Sequence, residues 1–137
     1  MTTQPKPAKA LDPEAVALAK AFETHYNAHD AEKVAALFAA DGRYFLPFYE
    51  PAEGIAAIKA TAQDYYKERD PRNVRIETLY TERSGDVGFS LGVTKSNVQL
   101  PDGKRADISA NWVSCGRIEA GVLKIVALML KLDQPPK

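Results

Sequence analysis

The polar side chains best suited to chemistry alternate along one stretch near the C-terminal end of the chain. Between Lys104 and Arg117, apolar and polar residues alternate with the period of two that is typical of a strand with unlike faces. The polar strip is Asp107, Ser109 and Asn111. An aspartate desolvated in a pocket has a raised pKa, so Asp107 is a candidate acid or base. Asn111 is a candidate for orienting a carbonyl or hydroxyl group.

Each of these candidates also has a plainer interpretation. Asp107 lies near the strand end beside Arg105, where water can solvate it, and we favour that interpretation. A buried asparagine such as Asn111 is as often part of a structural hydrogen-bond network. The tyrosines Tyr26, Tyr44 and Tyr49 could donate to a ligand, but core packing is expected for at least two of them.

The histidines, the single cysteine and one charged run carry weaker signals. His25 and His29 are four residues apart, but a metal would need an uninterrupted helix and a third ligand, and Asp30 is expected to cap a new helix. Cys115 is the only cysteine, which excludes an internal disulfide, and we expect a buried, inert thiol. We therefore predict no metal and no cofactor. The mixed charges of the run 67–72 are expected to form a solvated helix end.

Length and charge limit the possible partners. The 137 residues include 18 basic and 18 acidic side chains, so no general field attracts nucleic acid or an anionic membrane. No apolar run approaches the roughly 20 residues of a membrane span, and the N-terminal sequence lacks the apolar core of an intact signal peptide. We expect a cytoplasmic protein, or one whose export signal has been removed. The predicted organisation is a flexible arm (1–11), one domain (12–133) and a tail (134–137).

Three helices are predicted before the main run of strands. Asp12 followed by Pro13 is a capping residue followed by one favoured at the first helical position. Asp30 can cap a second helix, and Gly42 is expected to end it in a left-handed conformation. The predicted helices are Asp12–Tyr26, Asp30–Gly42 and Ile55–Arg69.

The strands indicate the fold class. Arg43–Phe48 is a short aromatic strand, placed at an edge or ended by Pro47. Four longer strands follow, and the joints between the first three have hairpin chemistry. These strands are Val74–Arg83, Val87–Leu100, Lys104–Arg117 and Val122–Leu132. Because helices lead and strands follow, the predicted class is α+β, with a curved antiparallel sheet wrapped over three helices.

Four segments together resemble the nuclear-transport-factor-2-like superfamily, and within it the SnoaL-like and ketosteroid-isomerase-like proteins. They are NAHD (Asn27–Asp30), VAALFAADGRYFLP (Val34–Pro47), EGIAAIKA (Glu53–Ala60) and the closing strand VLKIVALML (Val122–Leu130). The resemblance implies a cone-shaped, cystatin-like roll with a deep pocket, which commonly dimerises through its convex face. That fold hosts isomerases, cyclases, dehydratases, epoxide hydrolases and binding modules, so it does not by itself determine function.

The isomerase residues do not carry over to this chain. The resemblance places the oxyanion-holding tyrosine at Phe22 and the general-base aspartate at Leu46. The second acid falls in the range 111–113, and the closing-strand aspartate of many relatives falls on Leu128. Without a base and an oxyanion donor there is no enolisation machinery. Ordinary ketosteroid isomerase activity is therefore not expected.

The same resemblance sets the direction of each strand residue, with Leu46 and Leu128 pointing into the cone. The implied pocket is mostly aromatic and aliphatic with a short polar strip, a usual make-up for a small-molecule site. Its predicted lining is Phe22, Tyr26, Tyr44, Leu46, Phe48, Tyr65, Asp107, Ser109, Asn111, Val126, Leu128 and Leu130. The opposite parity predicts a dimer interface of Ile108, Ala110, Trp112, Leu123, Ile125, Ala127 and Met129.

Three functions remain open at this point. The first is a small-molecule-binding cone protein that takes a small hydrophobic or aromatic ligand, with weak catalysis or none. The second is an isomerase, cyclase or hydratase that uses Asp107, Asn111 and a tyrosine such as Tyr26. The third is an association module in which the cone dimerises and the pocket is residual.

Overall fold

The computed structural model describes residues 10–133. The predicted C-terminal tail and all but the last two residues of the predicted N-terminal arm lie outside that range. Within it, no helix is long and apolar enough to cross a membrane.

Three helices form where capping residues precede apolar stripes. The carboxylate of Asp12 accepts from the Glu14 N–H at 3.1 Å, and that of Asp30 accepts from the Lys33 N–H at 3.1 Å, so both predicted caps are confirmed. The helices are α1 (Pro13–Asn27), α2 (Ala31–Ala36) and α3 (Ile55–Arg69).

The second helix is shorter than predicted. It ends at Ala36, and the first strand begins at Phe38, inside the predicted helix. Gly42 does not end a helix but lies in this strand, where an added Cβ would meet the Ile125 carbonyl at 3.1 Å and the Ala39 carbonyl at 2.9 Å. A glycine is needed here because two backbones approach closely.

The sheet has six strands and is mixed. Its spatial order is β2-β1-β6-β5-β4-β3. The prediction of a wholly antiparallel sheet was wrong at one pair, since β1 and β6 run parallel. The strands are β1 (Phe38–Phe45), β2 (Ala52–Glu53), β3 (Arg72–Ser84), β4 (Val87–Gln99), β5 (Arg105–Glu119) and β6 (Val122–Leu132).

Helix α1 closes the free edge of β3, the last strand in the sheet order. The Asn27 side chain donates to the Val74 carbonyl at 2.9 Å and accepts from the Val74 N–H at 2.8 Å. The Glu23 carboxylate accepts from the Ile76 N–H at 2.8 Å. Residues four apart on a helix share one face, and residues two apart on a strand share one edge, so the two spacings match. This pairing covers an edge that would otherwise be a template for aggregation.

The core lies between the helices and the sheet face that they cover, which we call the inner face. Val34 of α2, Tyr44 of β1 and Ile58 of α3 are fully buried. Part of the space between α1, α3 and β3–β6 is not filled by side chains, and this gap is the candidate site.

Candidate functional site

A cavity of about 400 Å³ lies between the helices and the inner face of the sheet. Its volume falls in the range of roughly 300–1,000 Å³ that is usual for small-molecule sites. Most of the side chains around it are aromatic or aliphatic. The helices and β1 supply one wall, and β3 to β6 supply the other.

The helical wall is a cluster of aromatic rings. Phe22 and Tyr26 stack with centroids 5.3 Å apart, and Tyr65 lies 5.7 Å from Tyr26. The hydroxyls of Tyr26 and Tyr44 are 3.3 Å apart. Two hydroxyls share one hydrogen bond, so one O–H donor of the pair is left over. Burial raises the pKa of Tyr26, Tyr44 and Tyr65, so these groups remain proton donors at neutral pH.

The sheet wall carries small hydroxyls and one tryptophan. Ser90 and Ser114 face each other across β4 and β5, and Thr94 and Ser96 continue the polar positions along β4. None of these four hydroxyls has a hydrogen-bond partner among residues 10–133. Ser90 is buried, and Thr94, Ser96 and Ser114 are half-buried, so this wall offers donors and acceptors to a molecule in the cavity.

Trp112 lies flat on the sheet because its cross-strand neighbour is a glycine. Gly92 is paired with Trp112, and a Cβ added to Gly92 would overlap the indole ring. The ring is 7% exposed and lines the cavity. Its Nε1 is buried with no partner in the described part of the chain, so another polar atom in the wall lacks an acceptor.

The two ends of the cavity differ in charge. At the end nearest the start of α1, Arg83 forms ion pairs with Asp12 at 2.6 Å and with Glu14 at 3.2 Å. At the other end the lining includes Tyr65, Arg69 and Phe48, and Phe48 is 87% exposed. The cavity therefore reaches solvent beside an exposed aromatic ring.

Eight of the twelve residues predicted to line the pocket surround this cavity. They are Phe22, Tyr26, Tyr44, Leu46, Phe48, Tyr65, Leu128 and Leu130. Tyr49 is not among the lining residues, and its hydroxyl donates to Glu68 at 2.8 Å.

The predicted polar strip of β5 points the wrong way. Asp107 is exposed and accepts from Asn97 at 2.9 Å, while Ser109 and Asn111 both donate to Asp133. These three side chains lie on the outer face, opposite the cavity. Asp107 is thus solvated, as the plainer interpretation held, and it is not a candidate acid or base within the cavity.

Most of the predicted interface points inward. Ala110 is 3%, Trp112 7% and Ile125 3% exposed, and together with Ile108 and Leu123 they line the cavity. The reason is a register shift between β5 and β6, where Cys115 pairs with Ala127 but Gly116 pairs with Ile125. Val126 is the extra residue in this bulge and does not line the cavity.

C-terminal to the bulge, the parity of β6 is as predicted. Ala127 and Met129 lie on the outer face, and Met129 is 49% exposed. Cys115 pairs with Ala127 on the same face and is exposed, so the expectation of a buried thiol was wrong.

The histidines do not form a metal site. His29 lies in the turn after α1 with φ 55°, and its Nε2 is 2.8 Å from the Pro71 carbonyl. Within residues 10–133, no cluster of three or more His, Cys, Asp or Glu side chains is arranged to hold a metal.

Several cavity residues were missed by the sequence analysis. In β4, small and polar residues alternate with larger apolar ones along residues 88–96, and this period of two would have identified the inner face of that strand. For Arg69 no local signal exists, because its neighbours in sequence are charged as well. The missed lining residues with polar groups are Asp12, Arg69, Glu82, Arg83, Ser90, Thr94, Ser96, Trp112 and Ser114.

Comparisons with known proteins agree with this fold. The model of the SnoaL-like domain family matches residues 19–128. A ketosteroid isomerase-like protein from Erwinia carotovora atroseptica has a TM-score of 0.80 at 18% identity, with 89% of this chain and 95% of that chain covered. A protein with a cystatin-like fold from Caulobacter vibrioides has a TM-score of 0.77 at 16% identity, with 89% of each chain covered.

An NTF2-like protein from Novosphingobium aromaticivorans is similar at a TM-score of 0.70 and 17% identity, with 87% of this chain and 79% of that chain covered. No curated protein matches the sequence. The expected resemblance and the α+β cone fold are confirmed.

Proposed function

The chain belongs to the SnoaL-like domain family, and on this basis we propose that its cavity binds a small, largely apolar organic molecule without acid–base catalysis. The observation that carries the proposal is the set of partnerless neutral donors within an otherwise apolar wall. Ser90 and Ser114 line the cavity, and their hydroxyls lack partners within the described residues. A ligand oxygen placed between them would accept hydrogen bonds from donors that no protein group occupies.

The lining also matches the shape of an aromatic or alicyclic ligand. Rings of Phe22, Tyr26 and Tyr44 lie across the cavity from Trp112. Flat side chains favour stacked and edge-to-face contacts with a ring. The spare O–H of the Tyr26–Tyr44 pair would orient a carbonyl or hydroxyl at the inner end of such a ligand.

The alternative of an isomerase, cyclase or hydratase is weakened by the positions of its acids. Asp107 and Asn111 lie on the outer face. The acids on the lining, Asp12 and Glu82, are bonded to Arg83 and Tyr80 respectively. The buried tyrosines have raised pKa values, which suits a donor and not a general base.

A cavity-filling substitution tests the binding proposal. Thr94→Phe puts a ring into the cavity from a strand position that tolerates aromatic residues. Lys95→Phe puts the same ring on the outer face and is the matched control. We expect N-phenyl-1-naphthylamine to bind the wild type and the control saturably, with transfer of Trp112 fluorescence to the dye. Thr94→Phe should weaken binding by about tenfold or more, or about 1.4 kcal/mol.

Two results would contradict the binding proposal. Equal dye affinity in Thr94→Phe and in the wild type, with both proteins folded by circular dichroism, would place the dye outside the cavity. Absence of saturable binding to the wild type would remove the proposal as well.

We also propose a homodimer, through a patch that shares only Met129 with the interface first predicted. One row of the outer face runs across four neighbouring strands, with Tyr80 paired to Leu91, Leu91 to Val113 and Val113 to Met129. These four side chains are 36–49% exposed. With Phe89 beside them, they form a contiguous apolar patch of the kind that soluble monomers seldom leave wet. A twofold pairing would cover the patch on both copies.

Leu91→Glu tests this interface, because it places a carboxylate at the centre of the row. Val122→Glu is the control, since Val122 is 52% exposed at the β5–β6 turn, away from the row. Light scattering should give a dimer for the wild type and the control and a monomer for Leu91→Glu. A wild-type mass near 15.0 kDa would refute the dimer, and an intact Leu91→Glu dimer would refute this interface.

A further inference from the structure

We propose that the ligand is an organic anion whose acidic group binds Arg69 at the end of the cavity beside Phe48. This inference rests on the binding function proposed above and adds the chemical class of the ligand. It rests on a guanidinium in the cavity wall that has no partner among residues 10–133.

Arg69 differs from the other arginines of the chain. There are seven, and five of them form ion pairs with carboxylates. Arg69 and Arg75 form no ion pair or hydrogen bond with residues 10–133, and of these two only Arg69 lines the cavity. A partly buried cation without a counter-ion is unfavourable unless something supplies the negative charge.

The acids nearest to Arg69 in sequence are already occupied. The Glu68 carboxylate accepts from the Tyr49 hydroxyl at 2.8 Å. Asp70 pairs with Arg72 at 2.7 Å and with Arg105 at 3.2 Å. The mixed charge run 67–72 therefore leaves the positive charge of Arg69 uncompensated at the cavity.

A second donor lies beside the guanidinium. Tyr65 is four residues before Arg69, so the two side chains share one face of α3. Both residues line the cavity, and burial raises the pKa of the Tyr65 hydroxyl, so it remains a proton donor at neutral pH. The Tyr65 hydroxyl has no hydrogen-bond partner in the described residues. An arginine fork and a phenol O–H together suit a carboxylate or sulfonate.

The turn before this end presents an aromatic ring to the same space. The Tyr49 N–H donates to the Leu46 carbonyl at 3.1 Å, with Pro47 and Phe48 between them, and Phe48 has φ 71°. Glycine or asparagine is usual at the third position of such a turn, so the backbone there is strained for a phenylalanine. Phe48 is 87% exposed. A ligand held by Arg69 would cover this ring.

Two dyes with the same apolar body separate the charge from the cavity. 8-Anilinonaphthalene-1-sulfonate carries a sulfonate, and N-phenyl-1-naphthylamine has the same rings without it. Arg69→Met keeps the length of the side chain and removes the charge. Lys67→Met removes one positive charge from an exposed position of the same helix that is not part of the lining, and it is the matched control.

In Arg69→Met, we expect the Kd of the sulfonate dye to rise about tenfold, with the Kd of the neutral dye unchanged within about twofold. Lys67→Met should change neither value, and Arg69→Lys should lie between Arg69→Met and the wild type, because a lysine keeps the charge but not the fork. Circular dichroism and melting curves confirm that each variant is folded.

The anion inference and the binding function would be contradicted by different results. If the sulfonate dye binds Arg69→Met as tightly as the wild type, or if the two dyes lose affinity equally, the anion inference is wrong. If at the same time the neutral dye still responds to Thr94→Phe, the binding function stands without it. If neither dye binds the wild type saturably, both proposals are overturned.

Discussion

Asn27→Ala should destabilise the protein although the residue is exposed and does not line the cavity. Its amide acts as a short extra strand, giving one hydrogen bond to and taking one from the backbone of Val74. Val74 is 5% exposed, so water does not readily replace the lost partner. The substitution therefore removes two hydrogen bonds and leaves a buried backbone N–H and C=O unpaired at the free edge of β3.

The magnitude follows from those two bonds. At about 0.5–1.5 kcal/mol each, the free energy of unfolding should fall by about 2 kcal/mol. For a domain of this size the melting temperature should fall by about 5–8 °C. Urea denaturation and differential scanning calorimetry measure both quantities. Thr24→Ala is the control, because the Thr24 hydroxyl only bonds back to the Lys20 carbonyl of the same helix.

Asn27→Asp sharpens the test. Its carboxylate can still accept from the Val74 N–H, but a second oxygen then faces the Val74 carbonyl. When protonated, the carboxyl supplies both a donor and an acceptor, so the folded state raises the pKa of the introduced group. The stability of the variant should therefore be closest to that of the wild type at low pH. Its free energy of unfolding should fall relative to the wild type as pH rises through the folded pKa. The edge argument fails if Asn27→Ala melts within a degree of Thr24→Ala, or if Asn27→Asp shows no such trend.

Three further outcomes follow from the packing and electrostatics. Gly92→Ala should lower the free energy of unfolding by about 1–3 kcal/mol in urea titrations and shift the emission of Trp112, because the new Cβ displaces that ring; an unshifted spectrum would contradict this. The hydrogen bond from Arg72 holds the pKa of Asp70 below its usual range, so Asp70 stabilises the fold above the unfolded pKa of about 3.9. That stabilisation is lost as pH falls through the lower folded value, and Asp70→Asn should flatten the acid limb of a melting-temperature profile. Isomerisation of an unsaturated ketosteroid should be negligible in a spectrophotometric assay, because Leu46 stands where a general base would act and the absence of one costs on the order of a hundredfold or more.

Elements with local signals were predictable from the sequence. Asp12 caps α1 as its position before Pro13 indicated. The two hairpin turns predicted from their glycines do carry positive φ, 61° at Gly85 and 85° at Gly103. In each case the conformation is set by interactions among a few neighbouring residues, so the local sequence is enough to predict it.

The start of β1 had no such signal. Residues 34–39 are all apolar. Such a short apolar run fits either a helix or a strand, and its pattern does not distinguish between them. The choice is made by β6, with Phe38 paired to Ile125. A parallel partner so distant in sequence leaves no trace in the local pattern. The same holds for Arg69, whose unpaired state depends on Arg72 and Arg105 holding Asp70.

The inverted face of β5 has a single cause, which is the bulge at Val126. The β5–β6 hairpin begins with Glu119 paired to Val122. If that register continued without interruption, Asn111 would face Leu130 across the two strands, and cross-strand partners share a face. An inward Leu130 would then bring Asn111 inward as well, as the sequence analysis assumed.

With one extra residue in β6 the pairing shifts, and Trp112 takes the place opposite Leu130. A slip of one residue sends a whole strand face to the other side of a sheet. The bulge therefore moves Trp112 and Ser114 into the cavity and puts Asp107 and Asn111 outside it. In a β6 that is apolar at almost every position, no change in polarity marks the extra residue, since either register buries apolar side chains. That one residue decides whether β5 presents the carboxylate of Asp107 or the indole of Trp112 to the cavity.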